Sequence, residues 1–298
     1  MNVIHVAGTK GKGSTCAFTE SLLRAHGMRT GFPQKTGLYT SPHLLRPEER
    51  IRINFQPISR TLFAEMFFEV YEGLDLTEDN PGPPRTLQLC ALTAFHTFIK
   101  LRVDVAIVET HHGGEYDLTN VIPKPVATAI TALGMDHVRQ LGPTIENIAW
   151  HKAGIFKPGA SAFSTLQDES PAAVLRRRAS EKGVTLNFVD VEPDLPDSEP
   201  QLQVGVQKAN CSLAVSVVKC FLESKAPQEQ LKQEDILHGI RQYRWPGRFE
   251  LLVEGKNKWF LDVAHNELSI KIAAGWFADT SERYVNNPRM VLVMRRII

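Results

Sequence analysis

Eight consecutive residues, Gly8-Thr9-Lys10-Gly11-Lys12-Gly13-Ser14-Thr15, combine three glycines, two lysines and three hydroxyls. Glycines let backbone N–H groups approach phosphate oxygens, and a following helix N-terminus favours their negative charge. Lys12 is placed to reach the terminal phosphates of a nucleotide. The strict P-loop spacing is not met: with Lys12 in the lysine position, Val6 stands at the first glycine and Gly13 at the hydroxyl. The competing reading is a glycine-rich turn with solvated lysines. Glu109 closes an apolar run, Val103–Val108. A carboxylate at such a strand end can hold Mg²⁺ beside a phosphate loop, or simply be a solvated strand terminus. His137 follows a third apolar run, Val126–Leu133. Lys152 lies in a helical segment beside Trp150 and Ile155, where an ordinary lysine extends its head to water. Gln207 and Asn210 stand at the start of an amphipathic stretch, Asn210–Leu222, where asparagine is a good helix cap.

These residues are carried by alternating strand and helix patterns. Val3–Ala7 reads as a buried strand, then Ser14–His26 as a helix. Leu62–Tyr71 and Leu87–Ile99 have helical spacing. Val103–Val108 and Val126–Leu133 read as further buried strands, and Ile145–Gly154, Pro171–Lys182 and Gln233–Gln242 as helices. That alternation predicts an α/β fold: a P-loop-type, doubly wound, mostly parallel sheet. Asp190–Gln203 reads as an exposed loop. Arg244-Trp245-Pro246-Gly247-Arg248 breaks the pattern and divides the chain into an ATP-binding domain, 1–244, and a short C-terminal domain, 245–298. The latter holds strand patterns at Phe249–Val253, Trp259–Asp262 and Arg289–Met294, and a helix near Ser269–Ala278.

Composition narrows the partners. The 298 residues carry a formal charge of +1, too balanced for a nucleic-acid or anionic-membrane footprint. No apolar run is long enough to span a bilayer. The four scattered cysteines form no CxxC pair, as expected of reduced thiols. The expectation is a monomer in the cytoplasm, or in mitochondria if a presequence precedes this stretch.

The phosphate loop, with Val3-Ile4-His5-Val6 ahead of it, resembles that of the Mur ligase superfamily and of folylpolyglutamate synthase in particular. Tyr39-Thr40-Ser41-Pro42-His43-Leu44 followed by Glu49-Arg50-Ile51-Arg52-Ile53-Asn54 is similar to that family's loop over the active site. Gly134-Met135-Asp136-His137, Ala149–Gly159, Trp245-Pro246-Gly247-Arg248 and Leu261-Asp262-Val263-Ala264-His265 recur in the same order. The resemblance implies Mg²⁺ ligands at Ser41, Glu109 and His137. It implies ATP contacts at Gly8 through Ser14 (Thr9, Lys10, Gly11, Lys12 and Gly13 included), at Asn210 near the adenine, and at Arg248 and Asp262. It implies a carbamylated catalytic Lys152, and His265 near the incoming amino acid. The implied reaction, with ATP and Mg²⁺, joins L-glutamate to the γ-carboxylate of tetrahydrofolate or its polyglutamates through an acyl phosphate. A paralogous ligase such as dihydrofolate synthase, or a nucleotide-binding protein without turnover, stands as the alternative.

The chain departs from that pattern in four places. His111-His112 replaces part of a glycine-rich turn, which is expected to resist a positive-φ backbone. Val263 replaces a glycine and is expected to crowd Asp262 and His265. The N-terminal segment preceding the first strand and most of the Rossmann-like C-terminal domain are expected to be missing.

Overall fold

Val3-Ile4-His5-Val6-Ala7 alternates branched and small side chains that suit a strand covered on both faces. β1 (Asn2–Ala7) forms there, buried from Val3 onward. The computed structural model describes residues 1–74, 82, 84–264 and 267–282. Two compact units divide it, Met1–Tyr243 and Arg244–Ile298.

In the first unit β1 leads through Gly8–Gly11 into α1 (Lys12–Thr30). Then come β2 (Thr36–Tyr39), β3 (Ile51–Ile53), β4 (Gln56–Pro57), α2 (Arg60–Glu72), α3 (Thr86–Lys100) and β5 (Val105–Glu109). β6 (Ala127–Ile130), α4 (Val138–Leu141), α5 (Ile145–Lys152), β7 (Ser161–Thr165), α6 (Glu169–Glu181), β8 (Leu186–Val189), α7 (Gly205–Lys225) and α8 (Gln233–Gln242) complete it. The sheet runs β4-β3-β2-β5-β1-β6-β7-β8. β2, β5, β1, β6, β7 and β8 are mutually parallel, while β3 and β4 form an antiparallel edge. The order therefore reverses at β1, and the crevice beyond the carboxyl ends of β1 and β6 is where open α/β sheets bind ligands.

Helices cover both faces. Val3, Ala106, Val108 and Tyr39 pack with Ala94 and Phe98 of α3. Ala7, Ile130 and Ala162 pack with Ala149 of α5 and Leu175 of α6. The alternate strand residues Ile4, Val6, Leu38 and Ile107 are equally buried. α1 packs on α7 and α8, with α1 also touching β2 and β5, and α7 touching β6 and β7.

The described part of the second unit is an antiparallel hairpin, β9 (Glu250–Glu254) and β10 (Asn257–Leu261), followed by α9 (Glu267–Glu282). The strand expected at Arg289–Met294 lies outside the described residues. Among the described residues no helix is long and apolar enough to cross a membrane. All four cysteines are free, and three of them, Cys16, Cys90 and Cys211, are buried.

Candidate functional site

The loop between β1 and α1 needs its glycines. Gly8 and Gly11 have φ of 147° and 87°. A Cβ on Gly8 would stand 1.8 Å from Thr131 Oγ1, and one on Gly11 would stand 2.3 Å from Asn210 Oδ1. Close backbone approach, on both sides, is thus built into the turn. The N–H groups of Thr9 and Lys10 both donate to Ala132 O, at 3.0 and 3.2 Å. Thr9 Oγ1 donates to Gly134 O at 3.1 Å. Lys10 Nζ meets Asp136 Oδ2 at 3.4 Å. Thr9 and Lys10 therefore stitch the loop to the segment after β6. Amides for an incoming anion come instead from the first turn of α1, at Lys12, Gly13 and Ser14, whose N–H groups have no partner within the helix. The same turn carries Lys12, which makes no ion pair among the described residues.

Lys152, at the end of α5, is 2% exposed and donates from Nζ to Gly8 O at 2.7 Å. It does not extend to water. Burial pushes its pKa well below the ordinary lysine value, and the positive charge of Lys12 adds to the shift.

Ser41 and Glu109 come together as a pair. Glu109 is 4% exposed, and its Oε2 accepts the Ser41 N–H at 2.9 Å. Tyr39 and Val108 are register partners of parallel strands β2 and β5, which brings the two strand ends side by side. His137 adopts left-handed φ of 50° ahead of α4. Its ring stands edge-on to His112, with centroids 4.4 Å apart, so the loops after β5 and β6 touch. The Glu109 carboxylate and Ser41 hydroxyl are hard oxygen donors that suit Mg²⁺. Among the described residues no three His, Cys, Asp or Glu side chains form a metal-holding group by themselves. That donor set fits an ion that takes one or two protein ligands and fills its shell with phosphate oxygens and water.

Asn210 is not a helix cap. α7 begins five residues earlier, at Gly205, and Asn210 is buried inside it. Its Oδ1 accepts from Thr15 Oγ1 at 3.4 Å, and its Nδ2 donates to Gln207 Oε1 at 3.1 Å. Gln207 Nε2 donates to Tyr243 Oη at 3.2 Å, and the Tyr243 ring stacks on Phe18 at 3.8 Å. This chain of contacts ties α7 to α1 and to the phosphate loop.

The histidine turn also differs from expectation. Neither His111 nor His112 takes positive φ; Gly113, at 70°, does. Gly114 then lets the chain pass α5, since a Cβ there would sit 2.6 Å from His151 O and Lys152 O. His111 is buried, with Nε2 2.6 Å from Tyr39 Oη and Nδ1 3.7 Å from Asp117 Oδ1. A lone pair on Nδ1 would face the carboxylate, so the proton belongs on Nδ1 and Tyr39 donates to Nε2. Asp117 accepts from the His112 N–H at 2.6 Å, the Thr119 N–H at 2.9 Å and Thr119 Oγ1 at 2.6 Å. The Thr119 hydroxyl is thereby committed as a donor, and His5 Nε2–H donates to it at 2.8 Å. This buried polar cluster of Tyr39, His111, Asp117, Thr119 and His5, in which His111 Nδ1 lies 3.7 Å from the carboxylate without a hydrogen bond to it, was not anticipated. The Asp-Leu-Thr spacing at 117–119, which suits a side-chain turn, is the only signal for it in the sequence.

Burial lowers the His5 pKa from 6.5 to about 4 and does the same to His111. The unfolded chain thus takes up these protons first, so stability is full above pH 6.5 and falls as pH drops towards 4. We expect a loss of roughly 2–4 kcal/mol from His5 across that window. Denaturant titrations at several pH values test it, and a His5→Gln variant should lose that part of the slope.

In the second unit Asp262 accepts from the Phe249 N–H at 3.0 Å and the Ala264 N–H at 2.8 Å. Val263 N–H donates to Gly247 O at 3.0 Å without positive φ, so the branched residue is accommodated. Arg248 Nη1 donates to Gly247 O at 3.0 Å. His265 lies outside the described residues.

A mostly parallel sheet reversing at β1, a glycine-lysine loop at that reversal and a buried carboxylate on the neighbouring strand end define a doubly wound α/β domain with a candidate phosphate loop. No family model matches the chain. It is 41% identical over 306 residues to a folylpolyglutamate synthase of Neurospora crassa, covering 99% of this chain and 58% of that protein. It is 42% identical over 303 residues to the human mitochondrial folylpolyglutamate synthase, covering 93% and 51%. Among solved structures it resembles Mycobacterium tuberculosis folylpolyglutamate synthase complexed with ADP and AMPPCP, with a TM-score of 0.81, 28% identity, and 93% and 66% of the two chains covered. A folylpolyglutamate synthase complex with AMPPCP and folate matches with a TM-score of 0.75, 27% identity and coverage of 96% and 72%. Over the length it spans, the chain belongs to the folylpolyglutamate synthase family. It spans about half to three-fifths of the length of these curated relatives.

Proposed function

We propose that the chain serves the ATP-dependent ligation of L-glutamate to the γ-carboxylate of tetrahydrofolate or its polyglutamates. The observation that carries this reading is the pairing of Ser41 with Glu109 on the strand beside the glycine-lysine loop, in a chain with these relatives. The first turn of α1 and Lys12 hold the nucleotide phosphates. Ser41, Glu109 and His137 would hold Mg²⁺, which would supply charge neutralisation to the phosphates. Asn210, with Gln207 behind it, forms the wall towards the base. Arg248, Asp262 and His265 are assigned to the nucleotide and the incoming glutamate from the family pattern alone.

The chemistry asks for positioning, not for a nucleophilic side chain. The acid substrate's carboxylate attacks the γ-phosphorus of ATP, ADP leaves, and the amine of glutamate then displaces phosphate from the acyl phosphate and gives its proton to solvent. The protein aligns the reacting groups and balances their charge. Burial disfavours the charged form of Lys152 and so favours the neutral amine, the form that adds carbon dioxide. A carbamate formed there would retain its N–H for Gly8 O while presenting an anion beside Lys12.

Phosphate release from MgATP, with and without tetrahydrofolate and glutamate, tests the proposal. Release that needs both, with a product one glutamate heavier, is expected. Nucleotide binding with no such release would mean a nucleotide-binding chain without turnover. Release with another acid or amino acid would mean a paralogous ligase.

A further inference from the structure

Arg50 is a buried cation without a counter-ion among the described residues. It ends the short 3-10 turn Pro47–Arg50 and is 8% exposed. Its Nε donates to His43 Nδ1 at 2.8 Å, so that imidazole nitrogen must be unprotonated. Its Nη1 is buried and has no hydrogen-bond partner. Among the described residues no acidic side chain pairs with it. The adjacent acids are committed elsewhere: Glu49 accepts the N–H groups of Leu44, Leu45 and Arg46. Glu48 lines a groove against α2 with Arg46, Arg60 and Phe63, to which Arg50 does not belong.

A buried guanidinium left with an empty donor is costly and is retained where something else neutralises it. The position of Arg50 says what that is. Its carbonyl accepts the Thr40 N–H at 3.0 Å, one residue before Ser41, so it is tied to the segment that carries the Ser41–Glu109 pair. Phosphates already have amides and a lysine at the β1–α1 loop, on another strand end. A planar fork of donors matches a carboxylate two bonds at a time. Among the described residues His43 is its one side-chain hydrogen-bond partner, and it precedes a surface stretch in which Leu44 and Leu45 are 45% and 85% exposed. Moving that imidazole aside opens the guanidinium.

We propose that Arg50 anchors a carboxylate of the acid substrate that does not react, the α-carboxylate of its terminal glutamate, which displaces His43 from the guanidinium. The carboxylate held this way gives its charge to the arginine, leaving the γ-carboxylate as the nucleophile. This inference rests on the folate reading above.

Calorimetric binding of tetrahydrofolate monoglutamate and of its α-monoamide to the whole chain tests it. The wild-type protein should favour the acid by about 10- to 100-fold, the range of a charge-assisted hydrogen-bonded pair. Arg50→Gln should erase that preference while nucleotide affinity and Tm stay near wild type, and His43→Ala should bind the acid at least as tightly. Arg50→Lys, which keeps charge but not the fork, should retain only part of the preference and serves if the glutamine variant does not fold. A full preference in either arginine variant, or none in the wild type, overturns the assignment. If the wild type binds neither folate probe, the folate reading fails. N-acetyl-L-glutamate then decides Arg50 alone: binding weakened in Arg50→Lys upholds a carboxylate site, and binding unchanged in that variant or absent in the wild type refutes it.

Discussion

Lys12→Ala is expected to weaken MgATP binding by about 100-fold, the loss of a charge-assisted contact to phosphate. Two lysines stand in the loop, but they are not equivalent. Lys10 is fastened to Asp136 at 3.4 Å, and its N–H is spent on Ala132 O. Lys12 sits in the first turn of α1, where N–H groups have no helical partner. Lys10→Ala is therefore expected to cost under about 10-fold, as for a partly screened surface charge. Equilibrium binding of a non-hydrolysable ATP analogue distinguishes the two. Equal losses would mean that the lysines share the phosphate, and unchanged affinity in Lys12→Ala would refute the loop as the phosphate site. Both residues are partly exposed, so neither change is expected to shift Tm by more than a few degrees.

Much of this arrangement was readable from residue order. The buried run Val3–Ala7, the glycine loop and the helix behind it form as their patterns require, and Glu109 ends β5. Five strands escaped notice: β3 and β4 at the antiparallel edge, and β2, β7 and β8, of four, five and four residues, built from segments such as Thr36-Gly37-Leu38-Tyr39 that are too short for periodicity to speak. They become strands because neighbouring strands offer a ladder, parallel for β2, β7 and β8 and antiparallel for β3 and β4, a tertiary effect invisible to a local window. Asn210 misled for a related reason. Asparagine favours caps, yet α7 starts at Gly205, and the tie of Asn210 to Thr15 and Gln207 places it inside the helix. Histidines at 111 and 112 were expected to strain the turn, because a rule about glycine replacement cannot tell which residue of the turn carries the left-handed backbone. Gly113 carries it, and the space at 111 is filled by a ring bonded to Tyr39. Nothing local pairs Tyr39 with a residue 72 positions away. Arg50 was likewise read only as part of a motif, since burial and the lack of a counter-ion are properties of the folded chain.

Glu109→Gln separates the charge of that carboxylate from its hydrogen bond. Glutamine keeps an oxygen for the Ser41 N–H, now at 2.9 Å from Glu109 Oε2, so the strand-end pairing is retained. What is lost is the negative charge of a side chain only 4% exposed, in surroundings where charge is weakly screened. If Glu109 holds Mg²⁺, the concentration of Mg²⁺ needed for half-maximal phosphate release should rise by about 100-fold or more, as for a lost ligand charge in a closed site. The sign for nucleotide alone is opposite. Without Mg²⁺, a carboxylate near the phosphates repels them, so the variant should bind free ATP as tightly as the wild type or more tightly. A general loss of structure cannot produce that pairing of results, because it would weaken both. Nucleotide titrations with Mg²⁺ and with chelator, run on both proteins, read the two signs directly. An unchanged Mg²⁺ requirement would remove Glu109 from the cation site. A parallel fall in both affinities would make it a support for the Ser41 loop.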